Sequence, residues 1–406
     1  MDEFYKILIV SQYYYPDVTA AAFRIKETAD ILSSKGHQIS VITAKPHKGI
    51  INLTEKIDDA NNDIIRLPII KYYGKGKWNY IAHYASFMLN ALFYYIVSFA
   101  RKYDFVYVTS PPLPVGLAGF LMAAIRGSKF ILDIRDIWPD SAVAAGQLNK
   151  NSNLYKFGKL IEQWLYQKAD LITCVSRPMA DYIKKFIKRD KVVVIYNGVP
   201  NQYLRNESYH NEINLELFQD NKINITYLGN MGYVQNLQVV LEAAKQIQDE
   251  LSEVVLYLIG DGIDKIKLEK LRKDNLLDNV VIVGPVAKEQ AMQLMRKSSA
   301  LFFQLKDDMV MEKTVPSKVF DYMAAGKPIL FGIKGEGKMI LEQVKGNIYY
   351  HPDSAESFIN AVRKLKKNYK QLTKYARENK VIVEKYYTRE KMVEKLEKHL
   401  QELSHY

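Results

Sequence analysis

Residues 315–329 read VPSKVFDYMAAGKPI. Pro316 and Ser317 open a helix, Ser317 being able to cap it, and Gly326 stops it. Pro328–Phe331 then continues as an apolar run of strand type. The N-terminus of such a helix presents free backbone N–H groups and a partial positive charge. Lys318 sits in that first turn, where a cation is unfavourable unless an anion lies beside it. Asp321 follows three residues later and shares its face, placed to accept hydrogen bonds from hydroxyl groups. Two readings of these residues stand on local physics: a phosphate-binding turn, or an ordinary capped helix with an Ala/Met core face.

The surroundings repeat the same strand–loop–helix unit. Downstream of residue 222, short apolar runs fall at Asn224–Leu228, Val254–Ile259, Val280–Val283, Ala300–Gln304, Pro328–Phe331 and Ile348–Tyr350, with helices such as Asn236–Gln248 and Lys288–Lys297 between them. Upstream the runs are Ile7–Val10, Ile39–Thr43, Phe105–Thr109, Phe130–Ile134, Leu171–Val175 and Val192–Tyr196. Helices are expected at Ala20–Lys35, closed by Gly36, and at Val115–Arg126. Strands alternating with helices imply parallel sheets covered on both faces. Residues 197–222 are polar and rich in Asn, as a connection would be, and a charged helical stretch runs from about Ser354 to Glu402. The expectation is an α/β chain of two doubly wound, Rossmann-like domains, 1–197 and 198–385, with a ligand cleft between them. Residues 386–406 are expected to be a C-terminal helix returning to the first domain.

The 406 residues hold 57 Lys and Arg against 45 Asp and Glu, for a net +12. Residues 1–200 carry +9 of this and the remainder +3, so the first half attracts anions more strongly. Nucleic-acid binding would need aromatic interleaving or a matching fold, and neither is present. The single cysteine, Cys174, excludes an intrachain disulfide and a site built on several thiolates, and fits a reducing compartment. The seven histidines show no metal-ligand spacing and no Asp-x-Asp occurs. Gly260-Asp261-Gly262 lacks the third glycine of a dinucleotide fingerprint, Lys265 standing there. The N-terminus has acidic first charges and only four apolar residues in a row, which does not read as a signal peptide, so a cytoplasmic location is expected. Residues 81–100 carry no Asp, Glu, Lys or Arg, but His83, Ser86, Asn90 and Ser98 interrupt them. Three readings stand for this stretch: a core-packed helix, a helix lying in a bilayer surface between Lys71, Lys75, Lys77 and Arg101, Lys102, or a span.

The stretch 315–329 resembles the donor-site signature of family 4 glycosyltransferases, which adopt the GT-B fold of two Rossmann-like domains. Tyr196–Val199, Tyr227–Gly232, Leu258–Gly262 and Val283–Val286 resemble, in order, the family's entry to its second domain, its diphosphate-facing glycine loop, its "GDG" strand end and its base-holding segment. Asp133–Asp140, reading DIRDIWPD, is similar to a motif of a bacterial branch that builds O-antigens and capsules and includes N-acetyl-L-fucosamine transferases. The N-terminal SQYYYPDVTAAAFRI fits the same branch. The chain departs from the general pattern in several places. Lys313 stands where the first of two spaced glutamates belongs, with Glu312 one residue early. Asn230 and Gln235 replace an Arg and a Lys, Ala20–Ala22 replace a glycine pair, and Arg135 replaces a His.

The resemblance implies a retaining, metal-free transferase that needs no cofactor. It would move a sugar from UDP, of the N-acetyl-6-deoxyhexosamine class, to a lipid-linked saccharide acceptor. Such a protein would attach peripherally to the inner face of a membrane with an anionic surface. Asp136, Arg135 and Glu312 would act at the reacting centre. Gly229, Asn230, Gly232, Gln235, Gly262, Val286, Pro316, Ser317, Lys318 and Asp321 would hold the donor. Ala20, Ala21, Arg24 and Trp138 would face the acceptor, with Arg24 also able to reach the diphosphate. A nucleotide-sugar epimerase on the same fold and a non-catalytic binding subunit are the alternatives.

Overall fold

The computed structural model describes residues 4–47, 62–71, 77–98, 102–205 and 217–405, with backbone only at 77, 78 and 80. Every apolar run singled out above forms a strand, and each pairs in parallel with its neighbours. The chain falls into two units. Residues 1–143, 147–196 and 389–406 form the first, and residues 144–146 and 197–388 the second.

In the first unit seven strands stand in the order β3-β2-β1-β4-β5-β6-β7. They are Lys6–Val10 (β1), Gln38–Ala44 (β2), Asp63–Leu67 (β3), Phe105–Ser110 (β4), Lys129–Ile134 (β5), Leu171–Cys174 (β6) and Val192–Val194 (β7). β3 was not legible as a strand. It is a half-buried edge with Asp63 and Arg66 inside it, so its apolar signal is weak. The helices are Ala20–Ser34 (α1), Lys77–Val97 (α2), Leu113–Arg126 (α3), Asp140–Ala144 (α4), Asn153–Lys168 (α5) and Arg177–Lys184 (α6). Alternation along β1 separates two cores: Leu8 and Val10 point to the α2, α3, α5 and α6 side, Ile7 and Ile9 to the α1 side.

The stretch 81–100 is helical over its described part and packs one face into the core. His83, Phe87, Ala91 and Tyr95 recur every four residues and are each at most 4% exposed. The polar interruptions have partners: Gln12 Nε2 and His83 Nε2 lie 2.8 Å apart, and the Asn90 amide donates to the Pro68 carbonyl at 2.8 Å. Among the described residues no helix is long and apolar enough to cross a membrane. Residues 99–101 and Lys75 lie outside the described residues, as do 206–216 of the connection.

The second unit has six strands in the order β10-β9-β8-β11-β12-β13. They are Ile223–Leu228 (β8), Val254–Ile259 (β9), Val280–Val283 (β10), Ala300–Gln304 (β11), Ile329–Gly332 (β12) and Ile348–Tyr349 (β13). Its helices are Gln238–Glu250 (α7), Lys265–Asp274 (α8), Lys288–Lys297 (α9), Ser317–Ala324 (α10), Gly335–Glu342 (α11), Ala355–Lys367 (α12) and Tyr369–Tyr386 (α13). The charged stretch from 354 onward therefore breaks into separate helices. The last, Arg389–Ser404 (α14), lies in the first unit. There Met392, Val393, Leu396 and Leu400 join the core that holds Ile25, Ala29 and Leu32 of α1. Arg389 Nε meets Glu27 at 2.9 Å and Lys35 meets Glu397 at 2.6 Å beside that seam.

Candidate functional site

The carboxyl ends of β8 and β9 carry two glycine turns that touch backbone to backbone. Gly260, at φ +146°, has the Gly229 backbone where a Cβ would go, and Gly262, at φ +159°, has the Met231 backbone there. Only glycine fits such an approach. Gly260→Ala is therefore expected to be strongly destabilising, by roughly 2–4 kcal/mol or more, because two main chains must separate. A urea melt reads the loss, and a midpoint equal to wild type would refute this reading of the turn.

The main-chain donors of the first turn are largely in use. The N–H of Gly229 donates to Ile259 O at 2.9 Å and that of Met231 to Asp261 O at 2.7 Å. The N–H of Gly232 and the side-chain amide of Asn230 both donate to Gln235 Oε1, each at 3.1 Å. Gly229, Asn230, Gly232, Gln235 and Gly262 thus come together as expected by position. The N–H groups of Gly229 and Gly232 are nevertheless committed within the protein, so they are not the anion donors that the glycine loop suggested.

What remains for an anion is α10. Pro316 takes its N-cap position with no side-chain cap. Ser317 is the first helical residue rather than the cap. This corrects the expectation: Pro316, with its fixed φ, sets the boundary one residue earlier, and a side chain at the first helical position does not reach back to the second and third N–H groups. No side chain caps those groups, and the third, the Val319 N–H, donates to the Pro316 carbonyl at 3.1 Å.

Lys318 lies over Gly229, its ammonium and Cε occupying the space a Cβ there would need, and 5.3 Å from the Tyr227 ring centroid. No carboxylate pairs with it among the described residues. Desolvation pushes its amine down to about 8, opposed by Asp321 on the same helix face. Some of its surface stays accessible, which leaves room for a ligand and softens the desolvation.

Two residues that sequence reasoning missed fix this geometry. Tyr322 Oη accepts from the Leu228 N–H at 2.8 Å and lies 3.2 Å from the Leu228 carbonyl, tying α10 to the end of β8. Tyr227 Oη donates to the Asn230 carbonyl and shapes the glycine turn. The available signal was a tyrosine among aliphatic residues, since a buried hydroxyl needs a partner.

Glu312 sits in a 3-10 turn, Met311–Lys313, and its carbonyl occupies the space that a Cβ on Gly335 would need. It lines one small pocket with Lys306, Asp308, Pro316 and Lys334. Two neighbouring carboxylates are engaged there: Asp307 meets Lys334 at 2.6 Å and Asp308 accepts from the Val310 N–H at 2.7 Å. Val286 is half-buried in the loop after β10, whose end is tied to the glycine turn by the Gly260 N–H donating to Val283 O at 3.1 Å.

In the first unit, Asp136 is exposed just beyond β5. Its surroundings push the carboxyl up to about 6 against the pull of Arg135; water at the exposed face offsets part of that push. Arg135 is half-buried, and its guanidinium donates to Pro111 O at 3.3 Å. Ala20 is exposed and Ala21 half-buried at the start of α1, which Thr19 caps by accepting from the Ala22 N–H at 3.1 Å. Trp138 is half-buried, its ring filling the space over Gly158 of α5.

Arg24 corrects an expectation. It is 2% exposed and pairs at 2.9 Å with Asp133, itself 0% exposed, while Thr173 Oγ1 donates to the same carboxylate oxygen at 2.7 Å. Burial in this unit removes Arg24 from both acceptor contact and the diphosphate. It also settles Asp133 as that cation's partner.

Residues 21–203 match the family described as Glycosyltransferase Family 4, and residues 210–400 match Glycosyl transferases group 1. The chain is 22% identical over 377 residues to the Putative colanic acid biosynthesis glycosyl transferase WcaI of Escherichia coli (strain K12), covering 88% of this chain and 91% of that protein. It is 24% identical over 243 residues to the Probable glycosyltransferase WbjE of Pseudomonas aeruginosa, 58% of each chain. Among solved structures, Anabaena Alr3699/HepE in complex with UDP-glucose superposes with a TM-score of 0.75 at 13% identity, over 98% of this chain and 100% of that one. At that identity the likeness speaks for the fold.

Proposed function

Since this chain is a glycosyltransferase with a family 4 domain in its first half and a group 1 domain in its second, we propose that it moves a sugar from UDP to a lipid-linked saccharide during polysaccharide assembly. The donor class is an N-acetyl-6-deoxyhexosamine such as N-acetyl-L-fucosamine. The acceptor class is an undecaprenyl-diphosphate-linked saccharide of O-antigen or capsule type. The relative named for colanic acid biosynthesis and the neighbour that binds UDP-glucose support the coarse part of this reading.

One observation carries it: Lys318, which meets no carboxylate partner among the described residues, is held over Gly229 at the start of a helix that no side chain caps. A diphosphate supplies the missing anion. In the retaining, metal-free scheme the bond from the sugar's anomeric carbon to the phosphate oxygen breaks. The acceptor oxygen bonds on the same face, and the leaving phosphate oxygen takes the acceptor's proton. The protein positions both partners and stabilises the charge that grows on UDP. Lys318 and the α10 terminus carry that charge, because the glycine turn's N–H groups are occupied. Asp321 accepts from the ribose hydroxyls, Val286 packs on the base, Glu312 flanks the sugar, and Asp136 with Arg135 meets the sugar or acceptor hydroxyl.

The test is a panel of labelled UDP- and GDP-sugars incubated with the protein and membrane lipids. Label entering the lipid fraction from one UDP-sugar supports the proposal. Transfer from GDP-sugars alone overturns the donor, and an altered sugar formed without acceptor turns the reading to an epimerase. Asp321→Ala should weaken UDP binding about tenfold by calorimetry, the loss of one or two hydrogen bonds to a charged group. An unchanged Kd removes the ribose role.

A further inference from the structure

Among the described residues, nine of the eleven exposed large apolar side chains of the first unit lie on three adjacent helices. Leu89 and Phe93 of α2, Leu121 and Ile125 of α3, and Leu160 and Trp164 of α5 are among them, between 37% and 67% exposed. α3 packs against α2 on one side and α5 on the other. Phe120 of α3 meets Trp164 of α5 edge-on at 4.7 Å across their seam. Single exposed apolar residues are ordinary, but this gathering is not. Its three aromatic side chains, at about half exposure of roughly 150–250 Å² each, alone present on the order of 300 Å², and the aliphatic ones add to that, so the face reaches the roughly 300–600 Å² of a typical monomer's largest patch.

The exposed charges that these three helices carry among the described residues have one sign. α2 and α3 contain no Asp or Glu. The single carboxylate of α5, Glu162, is 1% exposed and paired with Lys159. Lys156 and Lys168 are exposed on α5, Lys168 lying 5.9 Å from the Trp164 ring centroid, and Arg126 ends α3. A second copy docked on this face by twofold symmetry would bring these cations against their own images. An anionic lipid surface satisfies both features: it buries the apolar side chains and attracts each nearby Lys or Arg by about 1 kcal/mol.

We propose that the joint face of α2, α3 and α5 docks on an anionic bilayer. The sequence marked only the α2 stretch for this role; α3 and α5 join it through packing. The docking is consistent with a lipid-linked acceptor and does not depend on it.

Full-length protein is sedimented with phosphatidylcholine vesicles and with vesicles containing about one quarter phosphatidylglycerol. Wild type is expected to follow the anionic vesicles at low salt, and high salt to release it. The double variant Leu121→Glu/Leu160→Glu should bind at least tenfold less. Both positions are exposed, at 43% and 66%, so its melting curve should match wild type. Transfer to a water-soluble acceptor analogue should be unaffected in this variant. A wild type that stays in the supernatant overturns the proposal, as does a folded double variant that binds like wild type. A dimer abolished by the double variant, with no vesicle binding, assigns the face to a second copy instead. Vesicle binding without any sugar transfer leaves docking supported and refutes only the function proposed above.

Discussion

Lys318→Ala is expected to lower kcat/KM for the donor about 100- to 1,000-fold, the size seen when one donor to a developing anion is removed. The loss should be this large because the glycine turn cannot substitute: its Gly229, Met231 and Gly232 N–H groups are all engaged. The pH dependence has a definite sign. In the free protein the Lys318 amine stands at about 8, and only its protonated form attracts a diphosphate. Donor affinity should therefore be full below about pH 8 and fall as pH rises through it. Lys318→Arg keeps its charge and should flatten that fall. The effect on stability runs the other way. A lysine whose folded pKa lies below its unfolded value destabilises the free fold while charged. That penalty is present below about pH 8 and is relieved as pH rises towards the ordinary lysine range. Lys318→Met should thus raise the Tm of the unliganded protein, by about 1–2 kcal/mol of stability after discounting for its solvent contact, while donor binding collapses. Undiminished donor affinity and turnover in the alanine variant would sink the assignment.

Arg24→Ala should cost about 3–5 kcal/mol of folding stability, because it strands a buried carboxylate. Asp133 is fully buried and would keep only Thr173 as a neutral donor at 2.7 Å. Had Arg24 faced the acceptor, its loss would raise the acceptor KM and leave stability alone. The structure predicts the reverse: a large drop in the urea midpoint, with acceptor KM near wild type at a temperature where the variant is folded. The double variant Arg24→Met/Asp133→Leu should recover most of the stability, since an apolar pair of similar volume replaces both charges. A stable Arg24→Ala protein with impaired acceptor use would reverse the conclusion.

The candidate site was legible only in part. Its glycine turns and the 315–329 helix announce themselves locally, through apolar runs that end in glycine and a proline that opens a helix. Whether a given donor is free is not written locally. Gln235 occupies the Gly232 N–H, and Ser317 loses its capping role because the helix begins at it. Tyr322 and Tyr227 look like core aromatics until their hydroxyls are seen holding main-chain groups of the site.

The parallel α/β architecture, the place of nearly every strand, and the helix that bears Lys318 and Asp321 are all readable along the chain, because period, burial and chain-breaking act between residues close in sequence. Which charges are consumed and which faces join is set by packing. Arg24 meets Asp133 across 109 residues and Tyr322 meets Leu228 across 94. α3 and α5 share an apolar surface only once the sheet sets them side by side. The availability of a charge, a hydrogen bond or a surface depends on neighbours in space, and those neighbours are chosen when distant segments pack.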